Sequence, residues 1–132
     1  SRSAASGPSR APAPIENLLL NTGMLELCCV TGAGFAQPHA VGVLSENLRA
    51  LLAKGGMQQA ELTQKLNALL DGVNRELEPH ERLQFVAVAR EPWAIENGFL
   101  TPTMKMRRAR IEDHYGAQAQ GWYASGQSVI WQ

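Results

Sequence analysis

Between residues 58 and 77, Leu62, Leu66, Leu69, Leu70, Val73 and Leu77 recur at steps of three and four, while Glu61, Lys65, Asn67, Asp71, Asn74 and Arg75 fall between them. A helix patterned this way has one apolar stripe and one wet face, so the rest of the chain must supply a surface to cover the stripe. Three short runs rich in β-formers offer that surface: residues 24–31, 39–44 and 83–89, the last containing Phe85, Val86 and Val88. Pro79 stops the long helix, and Pro92 bounds the third run.

The turn Gly32-Ala33-Gly34 joins the first two runs and predicts an antiparallel pair. It does not read as a phosphate loop, because a phosphate loop opens a helix N-terminus and this turn leads through Phe35, Ala36, Gln37 and Pro38 into another strand. Further helices are predicted on either side. One starts at Pro14, carries Ile15, Leu18 and Leu19 at helical spacing and ends near residues 21–23. Another is capped by Ser45, runs to about Ala53 and stops at Gly55-Gly56. A last one covers residues 107–119, with Ile111 and Tyr115 four apart. Trp122, Tyr123 and Trp131 in the tail, residues 121–132, predict an end that docks rather than frays.

Strands mixed with helices, without regular alternation or internal repeat, predict an α+β domain: small antiparallel strands packed with about four helices. At 132 residues the chain is one domain, assigned to residues 15–132. Residues 1–14, rich in Ser, Ala, Gly and Pro, read as a flexible lead-in or hinge-proximal loop.

Composition removes several classes of function. Twelve basic residues balance twelve acidic ones, so no net field draws the chain to nucleic acid or anionic lipid. The two cysteines, Cys28 and Cys29, are adjacent in an apolar run, which suits neither a disulfide framework nor a metal site and fits reduced thiols in a strand. His39, His80 and His114 have no metal-ligand spacing, and GxSxG is absent, so neither a metal centre nor a serine triad is expected. No stretch of about 18 apolar residues predicts a membrane span, and a soluble cytoplasmic protein is expected.

The stretch with most chemical content is residues 96–108. Glu96-Asn97-Gly98 is a strong turn signal, and Pro102 stiffens the extended segment from which Lys105, Arg107 and Arg108 project. By composition, such a cluster is a solvated face or a generic anion contact as readily as a site.

The order of residues says more. ENGFLTPTMKMRR, followed by an IExxY helix, resembles the C-terminal motif of AMP-forming acyl-CoA synthetases, in particular the long-chain fatty acyl group with its ENG-x-LTPT-x-K-x-[KR]-R pattern. SGPSRAPAPIE resembles the glycine-containing loop that leads into an IE helix in the same family. The resemblance extends to about Tyr115.

It implies a two-domain ligase that converts a carboxylate and ATP to an acyl-adenylate and pyrophosphate, then passes the acyl group to coenzyme A. The large N-terminal adenylation domain of the same polypeptide would be the partner of this lid domain. ATP, with Mg in the full enzyme, and coenzyme A would be substrates, none of them held by this domain alone, which by itself would be inactive.

On the motif, Lys105 matches the catalytic lysine of the adenylation step. Its ammonium would offset charge building on the α-phosphate and carboxylate oxygen. Gly7 matches a loop glycine that faces the active site during thioester formation, where a side chain would crowd the pantetheine path. Arg107 and Arg108 match positions suited to nucleotide phosphates or to the other domain. Glu16 matches the glutamate of the IE helix, for which capping and the helix dipole suffice. Other branches carry glycine where Met104 stands.

Two other readings remain open. One is a stand-alone module of the same fold that holds a phosphate-bearing ligand or an acidic protein through Lys105, Arg107 and Arg108. The other is an adenylation domain for an amino or aryl acid that loads a carrier protein.

Overall fold

The computed structural model describes residues 12–32, 37–89 and 91–131. In chain order the elements are α1 (Pro12–Leu20), β1 (Leu25–Thr31), β2 (His39–Leu44), α2 (Glu46–Lys54), α3 (Gln59–Arg75), a 3₁₀ turn (Pro79–Glu81), β3 (Val86–Val88), α4 (Arg108–Ser125) and β4 (Val129–Trp131).

The four strands form one sheet in the order β1-β2-β3-β4. β1 and β2 pair antiparallel, as the short turn between them predicts. β3 and β4 run parallel to β2, so the sheet is mixed rather than wholly antiparallel. The reason is the length of the connections: each parallel strand follows a helical crossover, through α2 and α3 for β3 and through α4 for β4.

Strand alternation divides the core into two layers. Cys28, Val30, Ala40, Leu44, Val86, Val88 and Val129 face α1 and α3, where Ile15, Leu19 and the leucine stripe of α3 cover them. Cys29, Val41, Val43, Phe85, Ala87 and Ile130 face the other way, onto Ile111 and Tyr115 of α4. A bulge between Leu25 and Leu27 turns Leu25 to the first layer. Gly42 makes room for it: a Cβ there would stand 3.0 Å from Leu25 Cδ1 and 3.3 Å from the Leu27 carbonyl oxygen.

The boundaries differ from the sequence reading in two places. α1 begins at Pro12, so Glu16 lies beyond the first turn and does not serve as an N-terminal charge. α4 continues to Ser125 and is closed by Gly126 in the left-handed conformation, φ 70°. Trp122 and Tyr123 therefore sit on a helix, and the chain end forms a strand, tied to α3 by a 2.7 Å bond from Trp131 Nε1 to Thr63 Oγ1.

Deep in the second layer His39 stacks on Phe85, with ring centroids 4.7 Å apart. The Tyr123 hydroxyl donates to the Gln37 carbonyl and lies 3.0 Å from His39 Nδ1, which points a proton from Nδ1 toward the tyrosine oxygen. Burial lowers the His39 pKa from 6.5 to about 4 and raises that of Tyr123 to about 12. Both stay neutral near pH 7.

Candidate functional site

The segment between β3 and α4 is built around one asparagine. Asn97 Oδ1 accepts from the Ala94 N–H at 2.9 Å, and Asn97 Nδ2 donates to the Pro92 carbonyl at 3.0 Å. Gly98 follows at φ 85°, under the Arg110 guanidinium. Beneath this turn Trp93 is buried, and its Nε1 donates to the Tyr115 hydroxyl at 3.1 Å.

From this platform a small hairpin rises. Arg107 N–H donates to the Phe99 carbonyl at 2.8 Å, Leu100 and Met106 form an antiparallel bridge, and Thr101 N–H donates to the Lys105 carbonyl at 2.8 Å. Leu100 is buried against Trp93 and Tyr115, which roots the hairpin in the second layer of the core. The tip is Thr101-Pro102-Thr103-Met104-Lys105.

Lys105 is exposed on this tip, and among the described residues no carboxylate pairs with it. Met104 beside it is 60% exposed and is the one non-glycine residue with positive φ among those described, at 68°. A side chain in that region costs about 1–2 kcal/mol.

Arg108 has a different fate. Its guanidinium forks onto Glu16, Nη1 donating to Oε2 at 2.7 Å and Nη2 to Oε1 at 2.5 Å. Glu16 Oε2 also accepts the Val30 N–H at 2.8 Å. β1 is an edge strand, so this carboxylate occupies a backbone donor at the sheet edge while joining α1 to α4 across it. The ion-paired hydrogen bonds to Glu16 hold Arg108 more firmly charged than usual. Cys29 lies 3.8 Å from the same guanidinium, yet burial raises its pKa to about 11 and that of Cys28 to about 12. Burial thus keeps both thiols protonated near neutral pH.

The structure thus divides the basic cluster. Lys105 stands at the hairpin tip, Arg107 is exposed at its base, and Arg108 is drawn across the domain to Glu16. Gly7 lies outside the described residues. Sequence reasoning gave Glu16 a local capping part, and no local signal marks its pairing with a residue 92 positions away.

Other features carry less chemistry. A groove beside α4 is lined by Glu91, Asn97, Phe99, Arg110, Asp113 and His114, with two carboxylates against one guanidinium, a balance that does not favour an anion. Among the described residues no three His, Cys, Asp or Glu side chains converge to hold a metal ion, and no helix is long and apolar enough to cross a membrane.

Known proteins place this architecture. No family model matches the chain. It is similar to long chain acyl-CoA synthetase 7, peroxisomal, of Arabidopsis thaliana, 29% identical over 133 aligned positions that cover 91% of this chain and 19% of that protein. It is also similar to long-chain-fatty-acid–CoA ligase 5 of Rattus norvegicus, 29% identical, covering 92% and 20%. The chain spans about a fifth of the length of these relatives.

Among solved structures it superposes on the A-PCP didomain of carboxylic acid reductase from Segniliparus rugosus, in complex with AMP, with TM-score 0.69, 24% identity and coverage of 87% of this chain and 16% of that one. The adenylation domain of the carboxylate reductase from Mycobacterium chelonae gives TM-score 0.62 at 21% identity, covering 83% and 17%. Over nine-tenths of its length the chain is thus similar to part of two long-chain acyl-CoA synthetases, and its fold recurs within the adenylation domains of carboxylic acid reductases.

Proposed function

We propose that this chain is the C-terminal lid of an ATP-dependent, AMP-forming acyl-CoA synthetase that activates a fatty acid, and that Lys105 is its catalytic residue. The observation that carries the reading is a lysine, without a carboxylate partner among the described residues, on the tip of a core-rooted hairpin, in a chain whose relatives over nine-tenths of its length are long-chain acyl-CoA synthetases.

ATP with its Mg²⁺, the acyl group and coenzyme A would be bound mainly by an N-terminal domain of the same polypeptide. This lid would bring one point charge to them. The Lys105 ammonium, placed between the α-phosphate and the attacking carboxylate oxygen, offsets the negative charge that develops as the acyl-adenylate forms and pyrophosphate leaves. A lysine suits this part because its charge is compact and its stem long.

Arg107, exposed at the hairpin base, is the second group available to phosphates or to the other domain. Arg108 takes a structural part in this reading, since its guanidinium is occupied by Glu16. Gly7 keeps the part its motif implies, a backbone that lets pantetheine pass in the thioester conformation.

A second reading has its own support. One structural neighbour is an adenylation domain joined to a carrier domain, so the acyl acceptor could be a carrier thiol instead of coenzyme A. The curated relatives favour coenzyme A. The plant relative is peroxisomal by name, so the cytoplasmic location expected from sequence has no support from it.

The test is an assay of the full-length protein with ATP, Mg²⁺ and a series of fatty acids. Fatty acid-dependent pyrophosphate release, followed by acyl-CoA on addition of coenzyme A, is expected. Adenylate formation without transfer to coenzyme A, but with transfer to a pantetheinylated carrier protein, would favour the second reading.

A further inference from the structure

The tip that carries Lys105 is shaped by one residue. Thr101 N–H donates to the Lys105 carbonyl at 2.8 Å, and the Thr101 carbonyl accepts the Met104 N–H at 2.8 Å. Thr101 Oγ1 accepts the Lys105 N–H at 3.0 Å, and Thr103 Oγ1 lies 3.0 Å from it, completing the hydroxyl's partners. The first two bonds need only a peptide backbone at position 101. The third needs a hydroxyl there.

That third bond bears on an unfavourable conformation. Met104, at φ 68°, is in the region that residues with a Cβ avoid, and such a residue persists only when its surroundings over-determine it. The peptide groups on both sides of Met104 are held by Thr101, the Met104 N–H through its carbonyl and the Lys105 N–H through its hydroxyl. Without the hydroxyl, the Met104–Lys105 peptide is free to rotate toward an ordinary turn. The Lys105 Cα–Cβ bond then leaves the hairpin in another direction.

We propose that Thr101 is a positioning residue for adenylation: its hydroxyl fixes the peptide before Lys105 and so the direction in which the lysine side chain enters the reaction. The proposal rests on the reading of Lys105 as the catalytic lysine. A point charge on a flexible stem acts by distance, so an anchored Cα leaves only the stem rotamers to be ordered when substrate arrives.

Thr101→Val keeps the shape and both backbone bonds and removes only the hydroxyl, and Thr101→Ser restores the hydroxyl without the methyl. In the full-length protein, fatty acid-dependent pyrophosphate release and acyl transfer to coenzyme A from supplied acyl-adenylate are measured for both variants and for Lys105→Ala. Thr101→Val is expected to slow the first half-reaction about tenfold through kcat and leave the second within about twofold, with Thr101→Ser close to the parent. Wild-type adenylation in Thr101→Val beside its loss in Lys105→Ala would overturn the clamp and leave the lysine in place. Equal slowing of both half-reactions by Thr101→Val, or failure of Thr101→Ser to restore the rate, would also overturn it. Unchanged adenylation in Lys105→Ala would overturn the reading of the lysine, and the clamp with it.

Discussion

Lys105 and Arg108 are three residues apart and carry the same charge, yet the fold treats them in opposite ways. Arg108 opens α4 with its guanidinium forked onto a carboxylate that is 6% exposed, and the pair closes the edge of β1. Lys105 is held by its backbone alone, and its ammonium is left to solvent. The difference lies in what each side chain can reach. The hairpin lifts Lys105 away from the sheet, whereas the first residue of α4 lies beside the edge strand. A basic cluster read from sequence is therefore two devices, one that holds layers together and one that is left exposed at a hairpin tip.

The sharpest way to break this contrast is to remove the arginine. Arg108→Met leaves Glu16 buried without its counter-ion and should cost about 2 kcal/mol, less than the roughly 3–5 kcal/mol of a fully buried pair because Arg108 is 40% exposed. Lys105→Met should stay within about 0.5 kcal/mol of the parent. Urea denaturation of both variants checks this, and equal losses would erase the distinction.

Acid should reach the packed region and spare the tip, which contains no carboxylate or imidazole between residues 101 and 105. His39 has its pKa lowered by burial to about 4 in the folded chain against 6.5 when unfolded. The unfolded state binds a proton below about pH 6.5 that the native state refuses until about pH 4, so stability falls as pH drops through that window. The loss from this group should approach about 3 kcal/mol near pH 4. Urea midpoints at pH 7 and 4.5 should converge on each other in His39→Gln relative to the parent.

The smallest effect should come from Met104→Gly. Relief of the left-handed conformation, about 1 kcal/mol, is opposed by the entropy of an added glycine, about 0.5–1 kcal/mol, so the urea midpoint should hardly move. Met104→Ile, with a branched Cβ at φ 68°, should lose about 1 kcal/mol relative to Met104→Gly.

Much of this was legible in the sequence, for reasons of range. The α3 stripe, the β1–β2 pair and the stapled turn at Asn97 depend on neighbours in sequence, and periodicity or turn chemistry reveals them. β4 was missed because it has three residues and pairs in parallel with β3, across an intervening helix. α4 was read only to residue 119 because Gly121 looks like a stop, while a Cβ placed there would meet nothing within 4 Å. The segment bearing Lys105 was visible in its motif, though as an extended segment and not as the hairpin that the Leu100–Met106 bridge closes. The clasp of Glu16 with Arg108 and the positive φ of Met104 were not, since one joins residues far apart and the other is imposed by tertiary closure of the tip.

The central claim is that Lys105 acts in adenylation and nowhere else, and the most direct measurement is the pair of half-reaction rates for Lys105→Ala in the full-length protein. Fatty acid-dependent pyrophosphate release should fall by about 10²–10³, the scale of losing one transition-state charge contact, while transfer to coenzyme A from supplied acyl-adenylate stays within about twofold. Equal loss in the two half-reactions, or no loss in the first, would contradict the account.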